Sequence, residues 1–276
     1  MLLIVNDECY DICMQLNETF DQAAATYQHI RPTYPAALFA KLIADTQLKP
    51  SAALLEIGPG TGQATLPLAK AGYDITAIEL GAHLAAKARE TLRKFPNVKI
   101  VNAAFEDVDL PEEAFDLVYS ATAFHWIKPE AKFAKPHTLL KDGGYLAIIH
   151  TEHVSDESGN TFFAASQPIY KKYEAKDRPN HIYDFAPPKL EALQPPEKVD
   201  QTRFTLESFT VFPMTVRYSS QEFADLLSTF SPNLAMPEKK RRAFLHEIKT
   251  LIDEKFGGYH EKHYGMTLTI LRKKSN

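Results

Sequence analysis

The run Glu56-Ile57-Gly58-Pro59-Gly60-Thr61-Gly62 is the segment of this 276-residue chain whose residue types most plainly anticipate a ligand. Glycines at alternate positions let the backbone turn sharply and approach a bound group closely. At the point where a strand gives way to a helix, they also present free N–H donors. Glu79 follows 17 residues after Gly62, at the end of the next apolar run. A carboxylate placed there can accept both hydroxyls of a ribose. The spacing is G-x-G-x-G rather than the G-x-G-x-x-G of dinucleotide folds, and the acid Glu56 directly before it repels a pyrophosphate. Gln63, not lysine, follows the last glycine, so the loop is no ATP-hydrolysing phosphate cradle. A nucleoside with a cationic amino-acid head, such as S-adenosylmethionine, meets neither objection.

Further along, Phe124-His125-Trp126 follows a fourth apolar run. His125 is the candidate general base, and Trp126 and Phe124 can wall a pocket, where an aromatic face favours a sulfonium. Arg31 can hold an anion bidentately, and Tyr27 and Tyr34 can add hydroxyl or aromatic contacts. His150, Glu152 and His153 invite a metal. On a strand His150 and Glu152 share one face and His153 takes the other, so no catalytic metal is expected. Cys9 and Cys13, at i and i+4 without histidine neighbours, make a poor zinc site.

The elements that position these residues read from the pattern of apolar runs. Strands are expected at 52–57, 74–79, 98–101, 115–120 and 145–150, with helices at 61–71 and 82–94. Lys141-Asp142-Gly143-Gly144 is a turn into the fifth strand. Such alternation implies an α/β fold, a Rossmann-like doubly wound parallel sheet. Residues 152–200 are proline-rich yet carry Phe162, Phe163, Tyr170, Tyr173, Tyr183 and Phe185, which fits a cap better than a free linker. A strand over 204–218 follows. Ser219-Ser220-Gln221-Glu222 is a capping-box start for a helix to Thr229. A helix over 238–256, stopped by Gly257-Gly258, and a strand over 264–271 complete the chain. The expected division is an N-terminal helical segment over the site (1–50), the binding core (51–151), the cap (152–200) and a C-terminal completion of sheet and cap (201–276).

Composition narrows the partners. Lys and Arg number 31 against 35 Asp and Glu, a net charge of −4, which argues against a general binder of nucleic acid or membrane surface and leaves room only for a local basic patch. No apolar run approaches the roughly 20 residues of a membrane span. Two cysteines exclude a disulfide scaffold and leave a reducing, cytoplasmic setting as the expectation. The partner expected is a small molecule.

These motifs resemble the class I S-adenosylmethionine-dependent methyltransferases, and among them the methyltransferase type 11 group. Leu54–Gly62 matches the group's first motif, Glu79 its ribose-binding acid, and Ala103-Ala104-Phe105-Glu106 the segment that lines adenine. Phe115–Val118, Ala123–Trp126 and Lys141–Gly144 match the segments around the fourth and fifth strands. Phe20-Asp21, Tyr27 and Arg31-Pro32-Thr33-Tyr34-Pro35 are similar to the segment that packs over the cofactor in relatives of trans-aconitate methyltransferase. The resemblance covers residues 19–151, and more weakly 205–272. It implies a seven-stranded sheet, with cofactor contacts from Glu56, Gly58, Gly60, Gly62, Glu79, Ala104, Phe105 and Glu106. It further implies substrate contacts from Tyr27, Arg31, Tyr34 and Trp126. Methyl transfer to a small acceptor follows, with an anionic or carboxylate acceptor favoured. Ala104 stands where many relatives carry Asp, so the adenine amino group's hydrogen bond comes from Glu106, from backbone groups, or is absent. The competing readings are an NAD-dependent oxidoreductase on a similar sheet and a non-catalytic S-adenosylmethionine-binding module.

Overall fold

The run Ala53-Leu54-Leu55-Glu56-Ile57 forms strand β1, with its last four residues buried, as expected of a strand covered on both faces. The computed structural model describes residues 30–155, 161–173, 186–196 and 198–275. Around β1 lie β2 (Asp74–Glu79), β3 (Val98–Asn102), β4 (Phe115–Ala121) and β5 (Leu140–His153), all parallel. β6 (Phe204–Ser219) and β7 (Tyr259–Lys273) form a long hairpin-like pair, with β7 antiparallel to both β5 and β6. The order is β3-β2-β1-β4-β5-β7-β6, so the chain reverses its direction of travel between β1 and β4. Such a reversal opens a crevice at the carboxyl ends of those two strands.

Helices α1 (Ala36–Thr46), α2 (Thr65–Lys70) and α3 (Ala82–Leu92) lie early in the chain. Leu38, Phe39, Leu42, Leu68 and Leu92 from them pack with Tyr119, Ile149, Met266 and Leu268 in one core. The opposite face packs Leu55, Ile57, Val118, Leu146 and Ile148 with Phe105, Phe124 and Leu139. Leu139 belongs to α5 (Ala134–Leu139), which follows the short α4 (Pro129–Lys132).

The seven-stranded doubly wound sheet with a helical cap is the architecture the motifs imply, with local differences. Residues 61–64 are turn, and α2 begins only at Thr65, which places Pro67 in its first turn where its missing N–H costs nothing. Lys141–Gly144 is a bulge inside β5, not a free turn: five steps from Leu140 to Tyr145 face two from Phe115 to Leu117. β7 starts at Tyr259, five residues earlier than the apolar run shows, because its first turns are half-exposed and alternate.

That extension builds the cap. Helices α6 (Thr161–Tyr173), α7 (Ser220–Ser228), α8 (Ser231–Leu234) and α9 (Glu238–Lys255) gather at the far half of the β6–β7 pair. Phe162, Phe223, Phe244, Ile248 and Ile252 pack there with Tyr218 and Tyr264. The capping box at α7 is present: Ser219 accepts from the Glu222 N–H, and Glu222 accepts from Ser219. β6 is an edge strand that carries Pro213 mid-length, opposite Gly265. Among the described residues no helix is long and apolar enough to cross a membrane. Cys9, Cys13, Phe20, Asp21, Tyr27, Tyr183 and Phe185 lie outside the described residues.

Candidate functional site

The loop after β1 is shaped by three glycines with positive φ, and each meets something different. Gly58 (φ 70°) donates its N–H to the Ile78 carbonyl at 2.9 Å. A Cβ there would stand 2.5 Å from the Ala123 Cβ, so the ends of β1 and β4 touch at the strand-order reversal. Gly62 (φ 90°) packs beneath Leu92. Gly60 (φ 58°) has nothing within 4 Å of where a side chain would begin, so its side of the loop is open.

Glu79 ends β2 beside that opening, 6% exposed. Its Oε2 accepts the Gly60 N–H and its Oε1 the Gly81 N–H, both at 2.9 Å. The carboxylate is thus held rigidly by backbone at the end of β2. Asn102 fixes the same corner by donating to the carbonyls of Glu79 (2.8 Å) and Leu80 (2.9 Å). Ala103 donates its N–H to Glu79 O at 3.0 Å, which brings the Ala104–Glu106 turn alongside. Phe105 turns into the core, and Glu106 accepts the Lys128 N–H at 2.9 Å.

Glu56 lies behind the loop with no exposed surface. Tyr119 donates to its Oε2 at 2.7 Å, whereas Oε1 and the hydroxyls of Thr61 and Thr65 are buried without a hydrogen-bond partner. Burial raises its pKa to about 7. Nearby Thr65, outside hydrogen-bond geometry, and Tyr119 pull it down, and Glu79 adds to the rise.

Across the crevice, Phe124–Trp126 is a single 3-10 turn after β4. Phe124 is buried; His125 stands exposed at the rim, its ring 4.7 Å from Trp126 and 5.7 Å from His150. Crowding by protein, then His150 and Lys132, lowers its pKa from the ordinary 6.5 to about 3. The imidazole is therefore neutral at pH 7. His150 pairs with Glu152 at 3.4 Å, while His153 turns to the other face between Phe230 and Tyr264.

Tyr34 reaches the site through Thr122, with 2.9 Å between hydroxyls, and Thr122 lies 3.3 Å from the Thr151 hydroxyl. Thr122 has φ 59°, a costly conformation for a β-branched residue, held by its N–H donated to Ile149 O at 2.8 Å. Nothing in the sequence singles this residue out. Arg31 is committed to the cap: it donates to the Thr229 hydroxyl (2.9 Å) and carbonyl (3.0 Å) and lies 4.2 Å above Phe230.

A crevice at a strand-order reversal, lined by a glycine loop and a backbone-clamped acid, has the geometry to admit a nucleoside. Residues 55–148 match the methyltransferase domain family. An uncharacterised methyltransferase-like protein of Schizosaccharomyces pombe is 26% identical over 84% of this chain and 84% of its own. A malonyl-[acyl-carrier protein] O-methyltransferase of a Marinomonas species is 26% identical over 62% of this chain and 60% of its own. The chain spans about half the length of several other curated relatives it matches. Among solved structures, the MccD protein superposes with TM-score 0.53 at 19% identity, covering 88% of this chain and all of that one. That likeness is one of fold.

Proposed function

We propose that this protein is a methyltransferase that uses S-adenosylmethionine to methylate a small, anionic acceptor. The carrying observation is the open face of Gly60 next to the backbone-clamped Glu79 at the β1–β4 crevice. Residues present there fit the cofactor. Glu79 would hold the ribose hydroxyls, Gly58, Gly60 and Gly62 would admit the ligand backbone-close, and Ala104–Glu106 would flank adenine. The buried, unpartnered oxygens of Glu56 and Thr61 fit a cationic head. When bound, this cofactor supplies a methyl group on an electrophilic sulfonium.

The protein's own work is then to align the acceptor and exclude water, an effect worth roughly 7–11 kcal/mol of barrier. Trp126 and the Tyr34–Thr122–Thr151 chain would wall the acceptor side. Neutral His125 can take a proton from a hydroxyl or amine acceptor; a carboxylate acceptor needs no base. The Marinomonas relative's name, an O-methyltransferase of a malonyl carrier, supports an oxygen acceptor. Net charge −4 and two cysteines favour a small-molecule partner, without nucleic acid or membrane, in a reducing cytoplasm. Isothermal titration tests the reading: S-adenosylhomocysteine should bind at sub-millimolar concentration and NAD should not. NAD binding with S-adenosylhomocysteine silent sinks it.

A further inference from the structure

The far half of the β6–β7 pair holds a cation that the packing alone does not explain. Lys262 is half-buried on β7, two residues before Tyr264 and on the same face of the sheet. It makes no hydrogen bond or ion pair with any described residue. Its neighbours are the faces of Phe223 at 5.9 Å and Tyr264 at 5.6 Å, distances too long to replace lost hydration. Burial, then Arg31, lowers its pKa to about 8. His153 adjoins it, paired in register with Tyr264, its Nδ1 buried and without a partner. Burial, then the charges of Lys262 and Arg31 and the neighbouring His150, holds the His153 pKa well below the ordinary 6.5. The nearest acid on β5, Glu152, lies on the opposite face with His150.

A half-buried charge without a counter-charge costs stability, and folds retain such groups where something else completes them. Among the described residues no counter-charge faces Lys262, and the complement missing there is negative. The position agrees: His153 stands two residues beyond Thr151, about 7 Å along the strand. An anion there directs the rest of a small molecule along the Thr151–Thr122 side toward the Gly58–Ala123 junction. We propose that Lys262 and His153 form the subsite for an oxyanion of the methyl acceptor, carboxylate or phosphate, with Arg31 reinforcing the field from the cap. This rests on the methyl-transfer reading and replaces Arg31 by Lys262 as the primary anion contact.

A metabolite extract is first split on an anion-exchange resin, and each fraction is incubated with enzyme and methyl-tritiated S-adenosylmethionine. Label should enter only the retained fraction; phosphatase treatment of that fraction before the incubation separates phosphate esters, which then take up no label, from carboxylates, which still do. Lys262→Met should cut labelling roughly 10–100-fold, as expected for loss of a charged hydrogen bond. Lys262→Arg should restore most of it. S-adenosylhomocysteine affinity should stay unchanged in both, and the melting temperature of Lys262→Met should not fall, since an uncompensated charge has been removed. Equal labelling of the unretained fraction, full labelling by Lys262→Met, or no labelling at all by an enzyme that binds S-adenosylhomocysteine overturns the subsite. Failure of the wild-type enzyme to bind S-adenosylhomocysteine would instead remove the methyl-transfer reading.

Discussion

A carboxyl group sealed from water behaves unlike one at a surface, and Glu56 shows the consequence. Its pKa moves from 4.5 to about 7 because burial outweighs the Tyr119 hydrogen bond. In the unfolded chain the acid ionises above pH 4.5, in the fold only near 7. Between those values folding takes up a proton, so stability falls as pH rises, and the full cost, about 3 kcal/mol, stands above pH 7. Glu56→Gln should therefore be more stable than wild type by about 2–3 kcal/mol at pH 8 and nearly equal at pH 4.5. Urea titrations at the two pH values check this, and a pH-independent difference refutes it. The glycines separate as cleanly. Gly58→Ala must displace Ala123 and should cost more than about 2 kcal/mol, whereas Gly60→Ala bears only its backbone conformation, about 1 kcal/mol. Equal costs in denaturation would contradict the geometry. The glycine loop and Glu79 are legible because they are local in sequence. The burial of Glu56 is not, since Tyr119 arrives 63 residues later.

At the scale of elements, termini were more legible than pairings. The Ser219–Glu222 box announces α7 by spacing alone, and it forms as the spacing implies. Ser219→Ala should lower stability by about 1 kcal/mol, while Ser228→Ala, one helix length away, should change little; thermal melts compare them. The β5 bulge was hidden because Gly143-Gly144 suits a turn and a bulge equally, and only the partner strand decides. The cation cluster was hidden for a related reason. Arg31, His153 and Lys262 come from three distant segments, and only the register of β5 on β7 sets His153 against Tyr264. Arg31 is anchored through Nε and Nη2 by Thr229, a partner 198 residues away that sequence does not reveal.

At the scale of the whole molecule, cap and core share one piece of covalent architecture. Met214 of β6 packs against both the sheet core and the cap cluster, and β6 and β7 run unbroken from one to the other. Unfolding should therefore be a single transition. Trp126, the single tryptophan, reports by fluorescence on the β4 end of the core, and far-UV circular dichroism reports on all helices. The two urea curves should coincide; a dichroism phase that precedes the tryptophan change would show a cap that melts alone. The long outer strand has one more effect. Pro213 lacks a backbone donor midway along the exposed rim of the sheet, and the register shift between Leu206 and Ser208 distorts that rim nearer its start. A second copy approaching that edge would find an interrupted row of hydrogen-bond partners, so the β6 side of the sheet is a poor template for strand-by-strand addition.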